Sequence, residues 1–304
     1  MATGEILIEK RSAVCWRNYY DLTKPKVVAL ILFTALVGML LSVPGAVPLQ
    51  TLCFGLLGIG LAAASGAVIN PVVAQRIDAV MERTRGRPIP SGRMDTPHAL
   101  SFALGLAALS MAVLLVFVNP LTALLSFCAL IGYAVVYTLY LKRSTPQNIV
   151  WGGLAGAAPP LLGWTAVTGE VGVGGLLLLL IIFVWTPPHF WALAIRRRKE
   201  YARAGIPMLP VTHGVTFTKL QVLLYTLLLV VVSLMPFTTH MSGLIYLATA
   251  LALGAGFIYH AVKLTLSPDD SHAMKTFGYS IVYLTGLFTG LLADHYAATL
   301  LGIS

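Results

Sequence analysis

The most constraining feature of this sequence is a succession of apolar segments, each about 20 residues long, the length at which a helix spans a bilayer. Only 10% of the residues are charged and 58% are hydrophobic, whereas soluble domains average about 25% charged residues. The pattern therefore predicts an all-α membrane protein, a bundle of nine transmembrane helices. We place the spans near residues 27–46, 51–74, 99–118, 121–141, 148–167, 173–194, 216–238, 242–262 and 276–299.

The basic residues are distributed unevenly between the two sides of this predicted bundle. All 20 Lys and Arg residues lie before the first span or around the connections that follow the second, fourth, sixth and eighth spans. Because cytoplasmic loops carry the excess of Lys and Arg, we expect a cytoplasmic amino terminus and a carboxyl terminus outside. Only an odd number of spans gives this arrangement. The net charge of +9 is then explained by topology and requires no nucleic-acid partner.

These patterns predict a short polar segment followed by one domain. We expect a cytoplasmic amino-terminal segment over residues 1–26 and a single membrane domain over residues 27–304. The first segment is polar and carries five Lys or Arg, and the apolar run after it is long enough to span, so we expect no cleavable signal peptide. The connections near 75–98 and 195–215 are long, which in a compact protein usually indicates a functional or mobile loop.

Polar residues at the end of the second span form the first candidate site. Asn70, Ala74 and Asp78 are spaced i, i+4 and i+8, so a continuous helix would place them on one face. Intramembrane polar residues are candidates for function, and this face could hold an anion or a metal ion. The simpler interpretation is that Asn70 caps a helix end and Asp78 pairs with a nearby arginine. Spacing alone leaves both interpretations open.

The first long loop continues with arginines. Arg83 and Arg87 are four residues apart, and guanidinium groups suit bidentate phosphate binding. The alternative is a basic anchor that only follows the positive-inside rule. Asp78 and Glu82 lie among these bases, and a plain anchor needs no acids.

The second long loop repeats the mixture of acids and bases. Lys199, Glu200 and Tyr201 follow a run of three arginines. Two such loops at the same end of a bundle could close over a diphosphate and its Mg²⁺, which prefers carboxylate and phosphate oxygens.

Two further groups of polar residues accompany these loops. Lys142, Arg143, Gln147 and Asn148 lie at the cytoplasmic start of the fifth span, in which Pro159 and Pro160 predict a kink. His189, late in the sixth span, could ligate haem iron, act as a base, line a pocket or serve as a hydrogen-bonded packing residue. The other histidines have no metal-ligand spacing.

Six long motifs link these residues to a known family. They are "DLTKPKVV", "RIDAVMERTRGRPIPSGR", "LKRSTPQNIVWGGLAGAAPPLLGWTAVTG", "PPHFWALAI", "EYARAGIPMLPVTHG" and "FGYSIVYLTGLFTGLLADHY". With these motifs the chain resembles the protoheme IX farnesyltransferases, or haem O synthases, of the UbiA superfamily of intramembrane prenyltransferases. The resemblance implies a nine-helix bundle whose active site opens to the cytoplasm.

The resemblance also implies a reaction. The farnesyl group of farnesyl diphosphate is transferred, with Mg²⁺ as cofactor, to a vinyl group of the substrate haem b. The product, haem O, serves terminal oxidases. The location implied is the bacterial cytoplasmic (inner) membrane, and the implied partners are the lipid bilayer and a haem A synthase or terminal oxidase assembly.

The resemblance also implies roles for individual residues, assigned to the positions of this chain that match the family's motifs. Catalytic roles fall on Asn70, Asp78, Glu200 and Tyr201, of which Asn70, Asp78 and Glu200 are the Mg²⁺ ligands. The diphosphate-binding residues are Arg83, Arg87, Lys142, Arg143 and Lys199. Other substrate contacts fall on Gln147, Asn148 and His189.

One position departs from the family pattern. The family carries an aspartate four residues after Asn70, and here that residue is Ala74, which cannot hold a metal ion. The alternatives are therefore a catalytically weakened or non-catalytic haem-binding relative, another UbiA-type prenyltransferase, or a transporter-like protein. Transporters usually place polar sites near the midplane of the membrane. The polar groups of this chain cluster at one membrane face, which favours an enzyme.

Overall fold

The computed structural model describes residues 16–82 and 84–301, and every regular element within those ranges is helical. A π-helical segment, Gly132–Leu141, joins α6 to α7. The α-helices are α1 (Trp16–Leu22), α2 (Pro25–Leu41), α3 (Leu49–Val73), α4 (Gln75–Val80), α5 (Thr96–Phe117), α6 (Pro120–Ile131), α7 (Lys142–Ser144), α8 (Asn148–Ala157), α9 (Pro159–Thr168), α10 (Val173–Arg196), α11 (Arg198–Arg203), α12 (Leu209–Thr212), α13 (Gly214–Thr238), α14 (Leu244–Leu266) and α15 (Ala273–Leu301).

These helices correspond to the predicted spans. Seven continuous helices in the described ranges are long and apolar enough to cross a membrane, and α1 with α2 forms a further candidate, bent by 50°. The remaining predicted span, the fifth, consists of α8 and α9, two ten-residue helices that meet at Ala158. Pro159 and Pro160 explain this break, because proline supplies no N–H to the helical hydrogen bonds. The prediction of an all-helical membrane protein is confirmed, and each of the nine predicted segments overlaps at least one of these helices.

The first span is shorter than predicted. We expected it to extend to residue 46, but α2 ends at Leu41 and the chain is not helical again until Leu49. Pro44 disfavours helical backbone angles at the residue before it. Hydropathy does not detect this effect, since Val43 is itself apolar.

Small residues bring the first and fifth spans into backbone contact. A Cβ atom added to Gly163 would lie 2.0 Å from the carbonyl oxygen of Ala35, and one added to Gly38 would lie 2.0 Å from that of Pro160. Without a hydrophobic driving force between helices in lipid, such close packing is a main source of association. α2 and α9 therefore form one closely packed pair.

Serine hydroxyls join the second and third spans. Ser65 Oγ donates to the Ala103 carbonyl at 2.8 Å, and Ser110 Oγ donates to the Gly58 carbonyl at 2.7 Å. Both serines are buried, so the helix carbonyls meet the hydrogen-bonding needs that water cannot meet in a bilayer.

The connections after the second, fourth, sixth and eighth spans lie at one end of the bundle, which we call the basic end because most of the described Lys and Arg residues lie there. It comprises residues 74–95, 142–148, 196–213 and 267–272. Side chains from two of these connections pack with Ile149 of α8 into one apolar cluster, which includes Ile77, Met81, Tyr201 and Ile206. The two long loops therefore meet.

Candidate active site

One helix face leads from the second span into the basic end. Ala74 N–H donates to the Asn70 carbonyl at 2.9 Å, and Asp78 N–H donates to the Ala74 carbonyl at 2.8 Å. Helical hydrogen bonding thus continues across the junction of α3 and α4, which keeps the three residues on one side. Asn70, Ala74 and Asp78 are only 7%, 2% and 3% exposed. Ala74 places a methyl group between an amide and a carboxylate.

Asp78 is paired with an arginine of the same loop. Arg87 Nη1 donates to Asp78 Oδ2 at 2.7 Å, and the Asp78 side chain is 4% exposed. Thr84 Oγ1 donates to the main-chain carbonyl of Asp78 at 2.9 Å, which closes the loop between the two partners. The structure thus pairs Asp78 with a nearby arginine, which was one of the two interpretations that the spacing of Asn70, Ala74 and Asp78 left open. This ion pair uses one of the five N–H donors of the guanidinium and holds Arg87 beside the buried face.

Two residues of the fourth span, which sequence reasoning missed, contact Asn70. Asn70 Nδ2 donates to Tyr133 Oη at 3.3 Å and lies 3.4 Å from Thr138 Oγ1. Tyr133 also lies close enough to Asp78 and Arg87 to interact with their charges. Both residues belong to the π-helical segment, a local widening often found at functional sites. The hydroxyl groups of Tyr133, Tyr137 and Thr138 in an otherwise apolar half of the span were the available signal.

A cleft of about 340 Å³ opens where the two long loops meet the fourth span. Arg143 and Arg203 line it together with Ile77 and Val80 of α4. Arg143 is a predicted diphosphate-binding residue, and it is exposed here beside the helix that carries Asp78. A cleft that combines two guanidinium groups with apolar side chains suits an anion with a lipid tail.

Lys199 and Glu200 line a neighbouring cleft with Arg196, Arg197, Arg198 and Asp270. Arg198 forms an ion pair with Asp270. Glu200 Oε2 lies 3.7 Å from Arg197 Nη1, is itself buried, and has no hydrogen-bond partner among the described residues. Tyr201, by contrast, is 4% exposed and packs in the apolar cluster with Ile77 and Met81.

The connection between the fourth and fifth spans contains the next predicted residues. Lys142 lies in α7, and exposed Gln147 precedes α8. Asn148 is fully buried, and its Nδ2 donates to the Thr145 carbonyl at 2.8 Å. Its Oδ1 is buried with no hydrogen-bond partner in the described structure. An unpaired buried acceptor costs free energy, so this amide is suited to meeting a donor or a cation.

His189 lies deeper in the bundle, in α10. Its ring stacks between Trp185, with centroids 4.2 Å apart, and Phe277, with centroids 4.5 Å apart. Nδ1 lies 2.6 Å from Ser280 Oγ. His189 is therefore hydrogen-bonded and held between two aromatic rings, and its role among those the sequence left open stays a prediction.

The structure brings together Asn70, Asp78 and Arg87, and it places Arg143 and Tyr201 at surfaces adjoining α4. Arg83 lies outside the described residues. Among the residues that are described, no three His, Cys, Asp or Glu side chains converge. The Mg²⁺ ligand set and the individual catalytic roles therefore stay predictions.

Comparison with known proteins decides the family. A model of the UbiA prenyltransferase family matches residues 31–288. The chain belongs to the UbiA prenyltransferase family. A protoheme IX farnesyltransferase of Thioalkalivibrio sulfidiphilus is 68% identical over 296 residues, which cover 97% of this chain and 98% of that protein. One of Nitrosococcus oceani is 58% identical and covers 92% of this chain and 94% of its own length. The resemblance seen in the motifs is confirmed.

Solved structures share the fold. The structure of a digeranylgeranylglyceryl phosphate synthase superposes with a TM-score of 0.79 at 19% identity, over 92% of this chain and 98% of that one. A UbiA homologue from Archaeoglobus fulgidus, bound to DMAPP and Mg²⁺, superposes with a TM-score of 0.61 at 17% identity, over 90% of this chain and 99% of that one. At these identities the similarity concerns the helical architecture alone.

Proposed function

We propose that this chain transfers the farnesyl group of farnesyl diphosphate to a vinyl group of haem b and so produces haem O. The observation that carries the proposal is 68% identity, over 97% of the chain, with a protein named protoheme IX farnesyltransferase. The ion pair between Asp78 and Arg87 lies at the basic end, above an apolar bundle, and this arrangement suits the reaction.

The arginines of the basic end bind the diphosphate. When the allylic C–O bond breaks, its electron pair leaves on the diphosphate, so negative charge grows there in the transition state. Arg87 and Arg143 come from different connections and both lie beside α4. Cationic donors already in place at the developing charge lower the barrier. Lys199 adds a further positive charge from the neighbouring cleft.

The apolar interior protects the allylic cation. Beneath the basic end, Trp191, Ile195 and Tyr201 pack with Ile77 and Met81 into a cluster that excludes water. A water-excluding site prevents hydrolysis of a reactive intermediate. The vinyl π electrons of haem b then form the new C–C bond, and water supplies the hydroxyl group of the product.

Mg²⁺ is the proposed cofactor. Asn70, Asp78 and Glu200 each offer side-chain oxygens, which Mg²⁺ prefers together with phosphate oxygens, and the buried Glu200 Oε2, which has no hydrogen-bond partner among the described residues, fits this use. When bound, the ion would supply charge neutralisation at the diphosphate. Structures of an Archaeoglobus fulgidus UbiA homologue with prenyl diphosphates and Mg²⁺ support the assignment. Ala74 contributes no ligand, so we expect weaker metal binding than an aspartate would give.

The proposed location is the bacterial cytoplasmic membrane, with the basic end and the amino terminus in the cytoplasm and the carboxyl terminus outside. The bias of Lys and Arg toward one end supports this orientation. Water-soluble farnesyl diphosphate head groups and haem b would then reach the site from the cytoplasm or the inner leaflet. A haem A synthase or terminal oxidase assembly would receive the product.

Reconstitution tests this proposal. The purified protein in lipid vesicles, given haem b, farnesyl diphosphate and Mg²⁺, should produce a haem whose mass has increased by one farnesyl and one hydroxyl group. Asp78→Asn keeps the size of the side chain but removes its charge, and it should lower the rate by about 10²-fold, the scale of losing one preorganised electrostatic contact.

Two outcomes would contradict the proposal or modify it. No haem O from either the native chain or Ala74→Asp would exclude farnesyl transfer. Haem b binding without product from the native chain, with product from Ala74→Asp, would identify a haem-binding relative inactivated at one ligand position.

A further inference from the structure

The hydrogen bonds around Ser280 determine the protonation of His189. Ser280 Oγ donates its only hydrogen to the Phe277 carbonyl at 2.6 Å. In its contact with His189 Nδ1, at 2.6 Å, the same oxygen must therefore accept. Nδ1 carries the proton, and in the neutral ring the lone pair lies on Nε2.

The imidazole is held in place on every other side. Trp185 and Phe277 stack on its two faces at interplanar angles of 18° and 28°. Trp185 is itself anchored, because its Nε1 donates to the Ser280 carbonyl at 2.7 Å. Nε2 is left without a hydrogen-bond partner among the described residues. A rigid neutral imidazole with one open lone pair is arranged to accept a proton.

His189 lies at a depth in the bundle where the second half of the proposed reaction, the addition of water, could take place. His189 lies seven residues before Arg196, the end of α10, which is about 10 Å below the basic end at about 1.5 Å per residue. Trp191, two residues further on, belongs to the apolar cluster under the basic clefts. Asn70 lies four residues before Ala74, where the basic end begins, and so about 6 Å below it by the same rise. A diphosphate that reaches Asn70 would place its reacting carbon, and the vinyl carbons that bond to it, at about the depth of His189.

We propose that His189 Nε2 is the base that accepts a proton from the water captured in the last step, and that Ser280 is its positioning residue. This proposal rests on the proposed function. Formation of the C–C bond uses the vinyl π electrons and leaves a positive charge on the vinyl carbon attached to the porphyrin. The oxygen of a water molecule bonds to that carbon, and one of its protons moves to Nε2. Without a base for water, the same cation loses a carbon-bound proton and becomes an alkene.

The test measures how the products divide. In vesicles with haem b, farnesyl diphosphate and Mg²⁺, His189→Gln should still release diphosphate, but the ratio of hydroxylated to alkene product should fall by about 10²-fold, the scale of general base catalysis. Ser280→Ala keeps the backbone carbonyl that binds Trp185 and should lower the same ratio. Ser280→Thr retains a hydroxyl group and should restore it.

Each remaining outcome is decisive. An unchanged product ratio in His189→Gln, with normal diphosphate release, would overturn the base assignment while leaving farnesyl transfer intact. Loss of haem b binding and a changed Soret spectrum in His189→Gln would overturn it in favour of iron ligation. Absence of diphosphate release from the native chain would refute the proposed function itself.

Discussion

Ala74 is the residue that fits the proposed chemistry least well. It lies between Asn70 and Asp78 on one continuous helical face and is itself 2% exposed. A carboxylate here would point to the same side as the Asn70 amide and the Asp78 carboxylate. The methyl group leaves that face with one acid, and this acid is already paired with Arg87.

Ala74→Asp tests the consequence. We expect the substitution to lower the Mg²⁺ concentration required for half-maximal farnesyl diphosphate binding by about tenfold or more, because even residues that only support a ligand change metal affinity by about 10–100-fold. Titration of Mg²⁺ at constant farnesyl diphosphate measures the effect. Ala74→Asn is the matched control, since it has the same size but no charge. Equal Mg²⁺ dependence for the native chain and Ala74→Asp would show that this position is not part of a metal site.

Residue spacing predicted some of these contacts but not others. The shared face of Asn70 and Asp78 follows from helical periodicity, whereas the pairing of Asp78 with a nearby arginine was only one of two interpretations that the spacing left open. The contact between His189 and Ser280 joins residues 91 positions apart. No local pattern encodes it, because it arises only when α10 packs against α15.

At the scale of helices, small residues determine which spans meet. α2 and α9 approach until Gly163 lies against the Ala35 carbonyl, where no side chain fits. Hydropathy predicted the spans themselves, since length and apolarity are local properties. It did not predict the π-helical segment that carries Tyr133 and Thr138, because that widening leaves the hydropathy unchanged.

Gly163→Ala should destabilise the bundle. The new Cβ would overlap a backbone carbonyl that cannot move alone, and such overpacking costs about 1–3 kcal/mol. Thermal unfolding in detergent micelles should show a lower midpoint. Gly156→Ala is the control, because Gly156 lies in helix α8 with open space around it, and alanine favours a helix by up to about 1 kcal/mol relative to glycine. Equal midpoints for the two variants would contradict the backbone contact of α2 with α9.

At the scale of the whole molecule, charge and hydrophobicity are separated along one axis. The alternation of Lys and Arg between connections predicted that the two long loops share one end, and the apolar cluster of Ile77, Met81 and Tyr201 joins them there. The exact pairing of groups within that end was not predictable. It depends on loop paths such as that of residues 204–208, which bring Arg203 beside Arg143.

The central claim is that the loops of the basic end form one diphosphate site, and farnesyl diphosphate binding in lipid nanodiscs tests it most directly. We predict Mg²⁺-dependent binding that Arg143→Gln and Arg203→Gln each weaken by about tenfold or more, because a hydrogen bond to a charged group contributes about 1.5–3 kcal/mol. Arg93→Gln removes an equal charge from an exposed side chain bonded to Ser91 and Gly86, and it should bind like the native chain. Native affinity in both cleft variants, or equal losses in all three, would contradict the account.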